Sequence, residues 1–295
     1  MTAERHESLQ RLLNSVKQAR YSCSRVDLFI NVDMSTFLLK TSAALQVATE
    51  FHWTLGTKTV LRRLAHAGLS QSWFELPYET DHDFIAVLED DMELSANYFT
   101  ILSTVLRYGV LDGADVTGFC MHPDDWEINV HSQCDDERYS RLFYETPEPC
   151  NWGPVWKQKE WQEYNNWVFK MKARGELPYV EKSMGFNWNR YLDEGLDVQS
   201  PWVWRYHYDT GKRVVRYSTG DCSGQKSESL YLAVNHKEPG EHFTHKFSDH
   251  TAATLLQFST RDFIKVLKAD KNAFRVRPFD ENAYLYELID LRDVH

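Results

Sequence analysis

Residues 82–94 read His-Asp-Phe-Ile-Ala-Val-Leu-Glu-Asp-Asp-Met-Glu-Leu, an apolar run ending in the consecutive acids Glu89, Asp90 and Asp91. Carboxylates this close do not all ionise comfortably without a cation. Their hard oxygens suit Mn²⁺ or Mg²⁺, metals that bridge a diphosphate to one or two protein carboxylates. A second polar set, Val234-Asn235-His236-Lys237-Glu238-Pro239-Gly240-Glu241-His242, gathers histidine and carboxylate around a Pro-Gly bend. The bland alternatives are a solvated acidic turn at a helix start and a polar surface turn. The wholly apolar strand before Glu89 favours a site.

The elements must carry these groups. Residues 84–88 are apolar on both faces, as in a central strand of a parallel sheet covered by helices, and ligands sit beyond the carboxyl ends of such strands. Residues 26–32 predict a strand closed by Asp33-Met34-Ser35-Thr36, with a helix over 37–49 in the βαβ manner. A strand and turn over 51–56 and a basic helix over 57–67, carrying Lys58, Arg62 and Arg63, follow. Ser95 predicts an N-cap for a helix running to residue 105, and 113–120 a strand. Residues 122–151, with Pro123, Pro147 and Pro149, form a long excursion. Order resumes at Asn151-Trp152-Gly153, with a helix over 159–173 and short helices over 187–194 and 201–209. Ser200-Pro201 reads as an N-cap followed by proline at the first helical position. Strands are expected over 212–217 and 231–234, and helix-like segments over 251–291. The expected division is an N-terminal helix within 1–25, with Leu9, Leu12, Leu13 and Val16 at helical spacing, a catalytic domain over 26–245, and a C-terminal helical segment over 246–295 packing on it.

With 295 residues, 42% of them apolar and 14% aromatic, the chain is globular. Its net charge of −10 argues against a general nucleic-acid or anionic-membrane binder. Five cysteines without a Cys-x-x-Cys pair support neither a zinc site nor a dense disulfide scaffold and fit a reducing compartment, with one Cys134–Cys150 bridge compatible. No apolar stretch has the character of a signal peptide or membrane span, so a soluble, cytoplasmic protein of a bacterial or virus-encoded pathway is expected.

Residues 87–99, Val-Leu-Glu-Asp-Asp-Met-Glu-Leu-Ser-Ala-Asn-Tyr-Phe, resemble the Glu-Asp-Asp block, a variant of the DXD motif, of nucleotide-sugar glycosyltransferases with the GT-A fold. The similarity is greatest to the N-acetylglucosaminyltransferase I type. Asn31-Val32-Asp33-Met34-Ser35-Thr36 resembles that family's nucleotide-holding loop, with Met34 where the family tends to place a basic residue; Lys58, Arg62 or Arg63 is the candidate substitute. Trp53 to Arg63, the acid block, Asn151-Trp152-Gly153 and residues 235–242 are similar, in order, to less characterised glycosyltransferase-like proteins.

The resemblance implies an α/β fold of GT-A, Rossmann-like type, with a mostly parallel central sheet and helices on both faces. It implies a UDP-sugar donor, N-acetylglucosamine or xylose among the sugars, and a carbohydrate hydroxyl as acceptor, with inversion. Asp91 is the expected principal metal ligand, supported by His242, with His236 and His245 behind it. Donor binding falls to Asp33, Gly56, Lys58, Arg63, Glu89 and Asp90. Trp152 and Gly153 are expected at the acceptor, while the helical spacing of Trp161 and Trp167 predicts core. An inverting enzyme needs a carboxylate to take the acceptor's proton. The family's acidic segment aligns loosely with Asn187-Trp188-Asn189-Arg190-Tyr191, which lacks an acid, so Asp197 and Asp209 are the candidate bases. The rival readings are a non-catalytic nucleotide-sugar or glycan-binding module and, further off, a metal-dependent hydrolase.

Overall fold

Side chains alternate between two apolar cores along the strands, and this alternation organises the chain. The computed structural model describes residues 2, 4–21, 24–35, 38–74, 81–96, 98–107, 109–121, 143–146, 149–150, 153–180, 189–217, 228–229, 231–233, 246–247, 274–276 and 286–288. The first half comprises α1 (His6–Gln18), β1 (Leu28–Val32), α2 (Leu38–Glu50), β2 (Lys58–Arg62), α3 (Gly68–Phe74), β3 (Phe84–Ala86), β4 (Met92–Leu94), α4 (Tyr98–Arg107) and β5 (Val116–Cys120). There follow β6 (Phe143–Thr146), β7 (Pro154–Lys157), α5 (Gln158–Ala173), α6 (Asn189–Asp193), α7 (Gln199–Thr210) and β8 (Arg213–Tyr217). The short strands β9 (Glu228–Ser229), β10 (Tyr231–Ala233), β11 (Lys246–Phe247), β12 (Phe274–Val276) and β13 (Tyr286–Leu288) complete the described elements.

Leu9, Leu12, Leu13 and Val16 recur at the spacing of one helix face, and α1 buries all of them. They share a core with Ala44 and Ala48 of α2 and with Ile101, Leu102 and Val105 of α4. A second core joins Trp73 and Phe74 of α3, Trp161 and Tyr164 of α5, and Trp202 and Tyr206 of α7. Strand residues feed both: Phe84, Leu88 and Val155 face the first core, Ile85, Val87 and Trp156 the second. The result is an α/β arrangement with sheet between helical layers.

The sheet is mixed rather than mostly parallel. The order is β13-β12-β6-β8-β5-β7-β3, in which β5–β8 and β6–β12 pair in parallel. The β3–β7, β5–β7, β6–β8 and β12–β13 pairs are antiparallel. Within this sheet β3 lies at an edge, yet residues 84–88 are apolar because the two faces meet different cores. Burial on both faces does not fix strand direction.

Residues 58–62 form a strand rather than part of a basic helix. They pair in parallel with β1, Leu28 opposite Lys58 through Val32 opposite Arg62. The β-branched Thr59 and Val60 favour this, and the partner is non-local. Helix α7 starts at Gln199 on Val198, which makes no side-chain cap, so Pro201 is not its first residue. The described residues of 246–295 are strands, with no helix among them. Cys120 pairs with Cys150, Cα atoms 5.4 Å apart, tying the end of β5 to the approach to β7. This replaces the Cys134–Cys150 expectation, and Cys134 lies outside the described residues. A disulfide also withdraws the support that isolated thiols gave to a reducing compartment. Among the described residues, no helix is long and apolar enough to cross a membrane.

Candidate functional site

After β3 the chain turns sharply, the Glu89 carbonyl accepting from the Met92 amide at 3.2 Å. Asp90 and Asp91 occupy the two central turn positions, where acids are well tolerated. They are nevertheless buried, at 2% and 8% exposure. Gly153, at φ +62°, packs behind the turn, where a Cβ would come within 3.0 Å of the Met92 and Met121 methyls. Gly153 thus shapes the backbone under the acids, and Trp152 lies outside the described residues.

The acids are met by a segment that local sequence reading passed over. Thr2 bridges to Val32 in parallel and donates its hydroxyl to Asp90 Oδ2 at 2.6 Å. Arg5 binds Asp90 Oδ1 and approaches Asp91 Oδ2 at 3.5 Å. Burial works against the Arg5 charge, but Asp90 and Asp91 outweigh it and raise its pKa above the usual range. Thr2 and Arg5 therefore join the acid turn to the carboxyl end of β1.

Glu89 is treated differently. Trp73 Nε1 and Gln199 Nε2 both donate to its Oε1, at 3.1 and 3.2 Å. Burial, helped by the neighbouring charge of Asp91, pushes its carboxyl up to about 7. Trp73 and Gln199 carried no motif signal, since neither has a polar partner nearby in sequence.

The expected donor residues divide between two ends of the β1–β2 pair. At the carboxyl end, Asp33 Oδ1 accepts from the Met34 and Ala67 amides and Oδ2 from the Gly68 amide, while His66 Nδ1, bonded to the Met34 carbonyl at 2.8 Å, stands 3.0 Å from Oδ2. Asp33 thereby pins the loop after β1 to the start of α3. Arg63 extends the pairing, its amide bonding to the Val32 carbonyl at 3.0 Å. At the amino end, Lys58 spends its ammonium on the carbonyls of Ala48, Thr49 and Phe51, closing the end of α2. Gly56 lies beside it, where a Cβ would sit 2.4 Å from Asp27 Oδ1 and the Val26 carbonyl. Asp33 reaches the acid turn through Thr2, whose carbonyl accepts from the Asp33 amide at 2.8 Å; Gly56 and Lys58 lie at the opposite end of the β1–β2 pair.

Asp197 precedes Gln199 by two residues, accepting from Trp202 Nε1 at 3.3 Å and approaching Lys172 at 3.4 Å. Asp209 stands ten residues beyond Gln199 on α7, roughly 15 Å along a helix, paired with Arg205 at 2.8 Å. Of the two, Asp197 is the closer in sequence to the Glu89 partner Gln199. Trp156, Trp161, Trp202 and Trp204 are buried, and Trp167 packs on the same core.

The fit of a divalent cation can be judged from these contacts. Both Asp90 oxygens are engaged, and a guanidinium already faces Asp90 and Asp91. Among the described residues, no three His, Cys, Asp or Glu side chains come together as a metal site. His242 lies outside them. With Arg5 seated, the acid turn does not fit a divalent ion.

No family model matches this sequence, and no curated protein matches it. Among solved structures, residues 1–349 of TarS from S. aureus match with a TM-score of 0.40 at 10% identity, over 79% of this chain and 59% of that one. The same fragment in complex with UDP-GlcNAc gives 0.39 at 12% identity, over 91% and 64%. A further TarS structure gives 0.37 at 9%, over 79% and 35%. The chain spans less than two thirds of the length of each. At this similarity the overlap supports nothing further.

Proposed function

We propose that this chain is a glycosyltransferase of the GT-A type, moving a sugar from a nucleotide diphosphate donor, UDP-linked, to a carbohydrate hydroxyl with inversion. One observation carries the reading: Glu89, Asp90 and Asp91 leave β3 in a turn tied through Thr2 to the carboxyl end of β1. Carboxyl ends of strands are where α/β sheets hold ligands. In this reading the nucleotide lies along the loop after β1, which Asp33 holds in shape, and Arg63 supplies positive charge to the diphosphate. Glu89 meets the sugar. The acceptor oxygen attacks the anomeric carbon, the bond to the diphosphate oxygen breaks, and a carboxylate receives the acceptor's proton. Asp197 is the base closest in sequence to the Glu89 partner Gln199. The sequence resemblance favours N-acetylglucosamine as the sugar, with xylose, glucose or galactose equally compatible, and Mn²⁺ or Mg²⁺ at Asp91 and His242 as cofactor. A metal there requires Arg5 to leave, and no step above depends on it.

A second reading is a nucleotide-sugar or glycan-binding module without turnover. It is favoured by the engagement of both candidate bases, Asp197 with Trp202 and Asp209 with Arg205. Incubating the chain with UDP-sugars and oligosaccharide acceptors separates the two. UDP release that depends on acceptor supports the transferase. Tight UDP-sugar binding with no UDP release under any acceptor supports the module.

A further inference from the structure

Gln199 is the second residue sharing Glu89, and its other end is unsatisfied. The residue is 5% exposed, with Nε2 directed at Glu89 Oε1. A carboxylate oxygen accepts hydrogen bonds and so selects the amide's NH₂ group, which turns the carbonyl away. That carbonyl, Gln199 Oε1, is buried without a hydrogen-bond partner among the described residues. A buried amide carbonyl left unpaired opposes folding, and each such group in a folded protein calls for an explanation. Trp73, fully buried, holds the same Glu89 oxygen from another side. With Oε1 gripped by two donors the carboxylate cannot rotate freely, and among the described residues both donors found for Glu89 fall on Oε1 and none on Oε2.

We propose that Gln199 Oε1 and Glu89 Oε2 form a paired acceptor that recognises two hydrogen-bond donors on the transferred sugar, and that Gln199 sets sugar specificity. This rests on the transferase reading above. The chemistry is selective. Two acceptors suit vicinal hydroxyls, or a hydroxyl beside an N-acetyl N–H, and repel a phosphate, which presents acceptors only. Such a site rejects a sugar lacking or misplacing one donor far more strongly than an apolar pocket rejects a missing methylene, because a buried acceptor is then stranded. Trp73 acts as a positioning residue: it touches Glu89 and not the sugar.

The test uses the full chain and calorimetry with UDP alone and with UDP-GlcNAc, UDP-glucose, UDP-galactose and UDP-xylose. For the wild type, at least one UDP-sugar should bind more tightly than UDP, with a spread across the panel. Gln199→Met keeps the side-chain volume and removes both the acceptor and the amide NH₂ that holds Glu89. It should bind UDP as the wild type does, while the ratio between the best and worst sugar collapses at least tenfold. Trp73→Phe keeps the ring and removes the donor; it should narrow the spread in the same direction, and it decides the matter if Gln199→Met does not fold. An unchanged sugar spread in the folded variant overturns the proposal while leaving the transferase reading intact. Equal losses for UDP and UDP-sugars also overturn it, by showing a merely structural role. If the wild type binds no nucleotide or nucleotide sugar, the transferase reading fails and this inference with it.

Discussion

Asp27, just before β1, and Glu89, after β3, are both largely buried acids, and their surroundings push them opposite ways. Asp27 accepts from the Thr57 amide at 2.7 Å, from His82 at 2.8 Å and from Arg25 at 2.9 Å. The Thr57 bond, then His82 and Arg25, hold its carboxyl well below the ordinary range. Glu89 has two donors on a single oxygen and an acid two residues away, and it is pushed up to about 7. Saturated donors mark an acid that serves the fold. An acid left short of donors, beside a buried orphan carbonyl, marks one kept for a ligand. Lys58, spent on three carbonyls, likewise serves the fold.

The largest expected effect breaks the structural end. Gly56→Ala forces a Cβ to 2.4 Å from Asp27 Oδ1 and the Val26 carbonyl, a backbone overlap costing about 3 kcal/mol. Urea unfolding should show it; an unchanged midpoint would mean that this end is not closely packed.

Glu89→Gln should act with the opposite sign. A carboxyl raised in the folded state contributes stability below its unfolded pKa, about 4.5, and loses it as pH rises through about 7. Removing the charge should therefore stabilise the protein by about 2 kcal/mol near pH 8, after allowance for partial exposure, and by little near pH 4. Thermal melts across that window measure it. Destabilisation at high pH would show that Glu89 is as well satisfied as Asp27.

Asp27→Asn sharpens the contrast. A depressed carboxyl contributes stability above its unfolded pKa, about 4, and loses it as pH falls through the lower folded value. The variant should be less stable than wild type at neutral pH, and the two melting curves should converge as the medium becomes strongly acidic. Parallel curves would remove the proposed donor saturation.

A smaller effect is expected at Arg5, whose side chain is 46% exposed. Arg5→Gln should raise Mn²⁺ affinity about tenfold, or ~1.4 kcal/mol, read by Mn²⁺ paramagnetic resonance. Equal affinity in both proteins would show that Arg5 does not stand in the cation's place.

Much of this was legible locally. The heptad-like spacing of Leu9, Leu12, Leu13 and Val16 is a local pattern, and α1 follows it. The apolar run before Glu89 implied packing on both faces, which Phe84 and Ile85 show against different cores while Ala86 is exposed; strand direction depends on a partner about 70 residues away. Residues 57–67 misled because Lys58 and Arg62 sit at helical spacing, while their strand character comes from pairing with β1. The site was legible only in its acids. Arg5 meets Asp90 across 85 residues and Gln199 meets Glu89 across 110, distances over which no periodicity or motif carries information.

The most direct test of the transferase claim is UDP release from a panel of UDP-sugars with oligosaccharide acceptors, by wild type, Glu89→Ala and Asp91→Ala. The account predicts acceptor-dependent UDP release by the wild type with at least one donor, reduced on the order of a hundredfold in both variants. Equal turnover by wild type and variants, or a wild type that neither binds nor turns over any nucleotide sugar, would contradict it.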